Sequence, residues 1–393
     1  MRARLMEKTL KIGMVCYPTV GGSGIVASQL GNGLAHLGHE VHFISYDPPF
    51  RLNLKQPGIF FHKVLLNEYS LFKFPDYTLP LSVKMVEVSN KYKLDIMHVH
   101  YAVPHATAGL LAKNIANRQK LKFPHLVTTL HGTDITLMAR DAGLMPVIKY
   151  SIEDSCGVTA VSESLKIDTQ KNLKTKKDIT VIHNFYNPKK PSKTTAVVRK
   201  ELKIDVDDFL AIHLSNLRPV KRIPDLLKIM ARLKNYPKIK LLVLAGGDFS
   251  PYQKLVKKLN LQNKIIVKEN VLDIENYINS ADLGLYTSEE ESFGMGVLET
   301  MSYGKPILTT NVGGIPEFMQ NGKTGFLFKT GDTNGFAKKL LEIYKNPELL
   351  KSLGQNAQER ALTGFSSQTI VHKYVDYYKK VIKECKGLFF PRH

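Results

Sequence analysis

The chain has no tryptophan and only three cysteines, Cys16, Cys156 and Cys385, among 393 residues. The cysteines are far apart in sequence and odd in number. They suit neither a disulfide framework nor a metal knuckle, which points to a reducing cytoplasm. Glycines (27) and prolines (19) are too few and too scattered for a fibrous or disordered chain. No window approaches about 18 uninterrupted apolar residues, which excludes a membrane-spanning helix. The start, Met1 to Lys8, lacks an apolar leader, so secretion is not expected. Acidic residues are the scarcer charge, 35 against 55 basic, for a formal net charge of +20.

That excess is not a tail. Residues 1–195 hold 25 basic and 14 acidic residues, and residues 196–393 hold 30 and 21. One denser stretch, 166–200, has ten basic residues and two acidic. Spread positive charge attracts phosphates, anionic lipid or nucleic acid without choosing between them, and solvated helix-surface lysines explain most such cases. A nucleic-acid groove would interleave basic residues with stacking aromatics. The basic stretch offers only Phe185 and Tyr186, so no nucleic-acid partner is expected. Weak contact with an anionic membrane and a homodimer are both compatible with the composition.

Hydrophobic residues (43%) and charged residues (23%) are those of a globular protein, and the length exceeds what one core usually serves. Segment 10–17 reads as a buried strand. Ile25, Val26, Leu30, Leu34 and Leu37 follow at helical spacing, Gly38 ends that helix, and 41–45 is a second strand. Strand patterns recur at 95–100, 125–130 and 157–161. A second series has strands at 209–215, 240–246, 281–287 and 305–310, with helices at 223–234, 251–259 and 294–303 between them. Such alternation predicts two doubly wound α/β domains, bounded near 195/196. A last helix from about 366 carries Ile370, Val371, Tyr374, Val375, Tyr378 and Val381, and is expected to return to the first domain. The expected division is therefore 1–195, 196–365 and 366–393.

Three loops carry candidate chemistry. Gly21-Gly22-Ser23-Gly24 lies between a strand and a helix, where close backbone approach and free N–H groups suit an anion. Gly22-x-Gly24-x-x-Ala27, with Asp47 downstream, also matches a dinucleotide fingerprint. The Pro18-Thr19-Val20-Gly21 insertion before it argues against a dehydrogenase. In the second half, Glu291 and Glu299 lie eight residues apart around Phe293, Gly294 and Met295, where a helix begins. They bracket the helix start rather than pairing as a glycosidase acid and base would. Carboxylates there can accept sugar or ribose hydroxyls, and the helix start can hold a phosphate. Ser215-Asn216-Leu-Arg218-Pro-Val-Lys221-Arg222 follows a strand, and Arg218 with Lys221 can clamp a diphosphate and neutralise it as it leaves.

His98, His100, His105 and His131 could suggest a metal. No Asp, Glu or Cys sits at a supporting ligand spacing, so structural or substrate-facing roles are expected.

The chain resembles the family-four retaining glycosyltransferases of GT-B fold, in which two Rossmann-like domains face a cleft. Glu291 to Glu299 is that family's E-x7-E element. Segments 16–31, 42–52, 98–106, 128–136 and 159–165 resemble a branch that makes the first intermediate of bacillithiol biosynthesis. The resemblance implies a metal-independent transfer of N-acetylglucosamine from UDP-N-acetylglucosamine to the hydroxyl of L-malate, with retention. The donor would lie in the second domain and the acceptor in the first. Glu291 would contact the sugar, Glu299 the ribose, and Lys221 the phosphates. Gly22 would offer its N–H to the diphosphate, His131 would approach the sugar, and Asn216, Phe293, Gly294 and Met295 would line the donor. Ser23, Tyr101, Thr129, Lys149 and Asn184 would meet the acceptor. Two positions depart from the pattern. Asn216 stands in an arginine column, with Arg218 two residues on. Lys149 stands where an arginine is expected, giving a point charge instead of a two-pronged contact. A different acceptor, a lipid or polysaccharide at a membrane surface, is the alternative.

Overall fold

The computed structural model describes residues 9–19, 21–66, 76–137, 141 and 143–385. The Met1–Lys8 segment read for a leader lies outside them. The chain divides into two compact units, residues 1–184 with 367–393, and residues 185–366.

The first unit has β1 (Lys11–Val15), β2 (Glu40–Ser45), β3 (Ile59–Lys63), β4 (Ile96–His100), β5 (His125–Leu130), β6 (Gly157–Ala160) and β7 (Thr180–Val181). They form one sheet in the order β3-β2-β1-β4-β5-β6-β7, with every pair parallel. Helices α1 (Gly22–His36), α2 (Thr78–Tyr92), α3 (Thr107–Arg118), α4 (Met145–Glu153) and α5 (Glu163–Leu173) connect them. β4 and β5 are buried throughout, as strands covered on both faces must be.

The second unit runs α6 (Thr195–Glu201), β8 (Phe209–Ser215), α7 (Ile223–Arg232), β9 (Ile239–Ala245), α8 (Ser250–Lys258), β10 (Ile265–Glu269), α9 (Ile274–Ser280), β11 (Leu283–Tyr286), α10 (Met295–Ser302), β12 (Ile307–Thr310), α11 (Ile315–Phe318), β13 (Gly325–Phe328), α12 (Thr333–Tyr344) and α13 (Pro347–Gly364). Its sheet order is β10-β9-β8-β11-β12-β13, again all parallel. Each sheet reverses its winding beside its first strand, at β1/β4 and at β8/β11. Ligands of open α/β sheets bind beyond the carboxyl ends of the strands at such points.

The division falls at Asn184/Phe185, inside the basic stretch 166–200 and ahead of the expected 195/196. Phe185 and Tyr186 are fully buried, and the Tyr186 N–H donates to the Phe365 carbonyl at 3.0 Å, within the second unit. The final helix, α14 (Ser367–Glu384), belongs to the first unit. A Cβ at Gly33 of α1 would lie 2.6 Å from Val371 Cγ2, so α14 packs directly on that glycine. The Tyr378 hydroxyl meets His98 Nδ1 at 2.7 Å, and the Tyr377 hydroxyl donates to the Val158 carbonyl at 3.0 Å. No helix among the described residues is long and apolar enough to cross a membrane.

Candidate active site

In the second unit, the loops after β8 and β11 are stitched together through their backbones. The Glu289 N–H donates to the Val220 carbonyl at 2.7 Å, and the Thr287 hydroxyl donates to the Lys221 carbonyl at 3.1 Å. This places the Lys221 ammonium 2.6 Å from Glu291 Oε1, with the Ser288 hydroxyl donating to the same oxygen at 2.7 Å. Both charged side chains are largely covered, at 17% and 13% exposure, so their attraction is only partly screened by water. A carboxylate there can accept from hydroxyl groups, and an ammonium can offset phosphate charge.

Glu291 is fixed from behind. The Gly314 N–H donates to its carbonyl at 3.2 Å, and the Thr310 hydroxyl donates to the Ser288 carbonyl at 2.5 Å. Gly313 (φ +53) lies so close that a Cβ there would overlap the Glu291 carbonyl. Gly294 (φ +98) turns the chain into α10. Gly313→Ala should therefore displace Glu291 and lower kcat/KM about 100-fold, the scale of a misplaced catalytic group. The check is steady-state kinetics beside circular dichroism. Normal turnover with a native spectrum would refute the role given to this packing.

The other residues of these loops separate. Arg222 is engaged by Asp225 and Glu289, at 2.7 and 3.0 Å. Asn216 Oδ1 accepts the Arg218 N–H at 3.4 Å, so Asn216 braces its own turn. Met295 opens α10, and Glu299 is buried within it. Phe293 departs from expectation. Its ring is buried against Phe318 and Phe365, with centroids 4.9 and 6.1 Å away, which leaves only its backbone for a donor. His213, held between Ser215 Oγ and the Leu285 carbonyl, was not singled out from sequence; burial lowers its pKa to about 4, so it is neutral at pH 7.

In the first unit, Gly22 is the exposed first residue of α1. Ser23 Oγ accepts the Tyr101 hydroxyl at 2.8 Å. Tyr101 (φ +87) leaves β4 in a strained conformation, and its ring lies 5.2 Å from that of His131. His131 Nε2 meets His100 Nδ1 at 2.7 Å. Burial, with His105 adding to it, pushes the His131 pKa down to about 3, so the ring is a neutral hydrogen-bonding group. Asp134 was missed. Its buried carboxylate accepts the N–H groups of Ala102 and Gly132, each at 3.1 Å, and so ties the loop after β4 to the loop after β5. Burial raises its pKa to about 6. The signal was an aspartate two residues after a glycine in His-Gly-Thr-Asp.

Two acceptor candidates stand apart. Thr129 is fully buried, its hydroxyl bonded to His98 Nε2 and Thr159 Oγ1 at 2.7 and 2.6 Å. It supports the sheet interior instead of facing a ligand. Lys149 is engaged by Glu153 at 3.8 Å and the Lys174 carbonyl at 3.4 Å, and no contact among the described residues joins it to Ser23 or Tyr101. Asn184 is buried, and its Oδ1 has no hydrogen-bond partner among the described residues.

His98, His100, His105 and His131 are held by each other, by Thr129, by Tyr378 and by backbone. The chain's Asp-x-Asp, Asp205-Val206-Asp207, precedes β8 at the amino edge of its sheet, where Asp207 pairs with Lys238. Cys156 and Cys385, remote in sequence, meet beside His125.

Two all-parallel, doubly wound sheets, each with a polar constellation beyond the carboxyl ends of its strands, have the architecture of the GT-B fold. Solved structures agree on the fold. HepE of Anabaena, in complex with UDP and glucose, superposes with a TM-score of 0.80 at 20% identity, covering 94% of this chain and all of that one. A glycosyltransferase from Rickettsia africae gives 0.78 at 22%, covering 96% and 100%. Residues 20–190 match the model for Glycosyltransferase Family 4, and residues 195–360 match that for Glycosyl transferases group 1. The N-acetyl-alpha-D-glucosaminyl L-malate synthase of Bacillus anthracis is 42% identical over 96% of this chain and 99% of its own length. The alpha-monoglucosyldiacylglycerol synthase of Acholeplasma laidlawii is 25% identical over 86% and 88%. The chain belongs to glycosyltransferase family 4.

Proposed function

We propose that this glycosyltransferase moves N-acetylglucosamine from UDP-N-acetylglucosamine to the hydroxyl of L-malate, in the cytoplasm, with retention and without a divalent cation. The observation that carries the reading is the 42% identity, over nearly the whole of both chains, with the Bacillus anthracis relative. The Lys221–Glu291 pair supplies the chemistry the donor half needs.

The sugar C1–O bond breaks toward an oxocarbenium-like state. Lys221, Arg218 and the amides at the start of α10 take up the charge that develops on UDP. Glu291 accepts hydroxyls of the sugar, and Glu299 the ribose. The departing phosphate oxygen takes the malate hydroxyl proton on the face it leaves, which preserves the α configuration. Ser23 and Tyr101, with the Asn184 amide, orient the acceptor carboxylates, and neutral His131 offers the sugar a hydrogen bond without adding charge.

The test is mass spectrometry of reactions containing UDP-N-acetylglucosamine, no added metal and, in parallel tubes, L-malate, other hydroxy acids or no acceptor. N-acetylglucosaminyl-malate formed only with malate supports the reading. UDP release that depends on another acceptor would move the proposal to that acceptor, with lipid and polysaccharide next in line. Tyr101→Phe loses the bond to Ser23 and should raise the acceptor KM about tenfold, the worth of one hydrogen bond at a site, with kcat largely kept. An unchanged KM would remove Tyr101 from the acceptor site.

A further inference from the structure

We propose that His125, Cys156 and Cys385 form a binding site for a thiophilic d10 metal ion, zinc(II) in the first instance, that fastens the end of α14 to the sheet of the first unit. The imidazole nitrogen and the two sulfurs all lie within 4.8 Å of one another. In a tetrahedral zinc site, ligands at about 2.0–2.3 Å from the metal are roughly 3.5–3.8 Å apart, so small side-chain rotations complete the geometry. Three protein ligands leave one corner to water.

The backbone presets the site. His125 opens β5 and Cys156 immediately precedes β6, and these strands pair in parallel with Val127 opposite Gly157. The loop before Cys156 is braced by the Lys177 ammonium, which donates to the carbonyls of Glu153 and Ser155 at 2.8 and 2.5 Å. Cys385 directly follows α14, whose position is fixed by Tyr377 and Tyr378. The site lies at the amino end of β5, whereas His131 follows its carboxyl end, so it is separate from the candidate active site.

The charges also close. Two thiols release two protons as Zn(II) binds, and neutral imidazole donates its nitrogen lone pair, so the centre is neutral overall. Burial, with Cys156 adding to it, pushes the Cys385 thiol up to about 12 against the opposing pull of Lys113 and Lys177, so the ion itself must draw off the proton, and the two lysines meet no net positive charge once it is bound. His125 and Cys385 are buried, and Cys156 is partly exposed, which gives an ion a way in.

The experiment uses the full-length chain stripped of metal under reducing conditions. Titration with Co(II) should give one equivalent bound, with thiolate-to-cobalt charge-transfer absorption and the intense visible bands of a tetrahedral site, reversed by Zn(II). The Cys156→Ser/Cys385→Ser variant should lose both signals, and Cys16→Ser should keep them. In the unmodified protein, Zn(II) should slow alkylation of Cys156 and Cys385 at least tenfold, a readout that does not depend on any variant folding. Three results would overturn the proposal: equal alkylation with and without zinc, Co(II) binding unchanged in the double variant, or a Cys156–Cys385 disulfide that persists in the presence of zinc under reducing conditions.

Discussion

Lys221→Ala should lower kcat about 10³-fold, and Glu291→Ala about 10²- to 10³-fold. The double variant should be scarcely worse than Lys221→Ala alone. A thousandfold loss is about 4 kcal/mol of transition-state stabilisation, the scale measured when one preorganised group is removed from developing charge. The two groups touch at 2.6 Å and are mostly shielded from water. Removing Lys221 therefore does more than withdraw a cation from the departing diphosphate. It leaves the Glu291 carboxylate uncompensated where negative charge accumulates. Removing Glu291 withdraws an acceptor for the sugar hydroxyls and frees Lys221 from the position that carboxylate fixes. Residues coupled in this way are strongly non-additive. The measurement is a double-mutant cycle in kcat and kcat/KM with saturating acceptor. Strictly additive effects would mean that the pair does not act as a unit. Near-normal turnover of Glu291→Ala would remove this carboxylate from the donor site altogether.

What could be read from sequence follows from what local pattern encodes. Lys221 and Glu291 lie on loops directly after strands, and such loops converge at the switch point of a doubly wound sheet. Their meeting was therefore accessible from strand order alone, as was the Ser23–Tyr101 contact across β1 and β4. The direction of a side chain was not. Phe293 sits between two candidate residues, yet its ring turns inward to Phe318 and Phe365 because the aromatic cluster beneath α10 needs it. Thr129 precedes the His131 loop by two positions but is consumed by His98 and Thr159 within the sheet. Edge strands were missed because their patterns are weak. β7 has two residues, and β10 is only partly buried. The site assembled by His125, Cys156 and Cys385 was invisible, since α14 alone brings its last ligand home. Asp134 was legible only as a turn residue, and its link to Ala102 depends on the packing of two loops that sequence does not place side by side.

Acid should weaken the first unit far more than the second. Of the chain's 13 histidines only His213 lies within residues 185–366. In the first unit burial holds His98 and His131 near pKa 3 and His42 and His105 near 4, and His100 is also driven well below its usual value. In the unfolded chain each regains a value of about 6.5. Their contribution to stability is therefore complete above about pH 6.5 and is lost as the pH falls toward the folded values. Each histidine removes up to about 1.4 kcal/mol per pH unit in that window. Asp134 opposes the trend. Its raised pKa of about 6 means that the folded state takes up a proton, below that pH, that the unfolded carboxyl does not. Five histidines less one carboxylate leave a loss of roughly 5 kcal/mol per pH unit near pH 5.5, against a total of about 5–15 kcal/mol for an ordinary domain. Hydrogen exchange along a urea gradient, corrected for intrinsic rates, resolves the units by peptide. Between pH 7 and 5 the unfolding midpoint of residues 9–184 should fall by half or more, while that of residues 185–366 moves little. Equal shifts in both units would contradict the histidine account. Asp134→Asn separates the opposing contribution. Ala102 and Gly132 donate to different carboxylate oxygens, so the amide keeps only one of the two bonds and the variant starts less stable, but it takes up no proton, so its first unit should lose stability with acid more steeply, by one proton's worth.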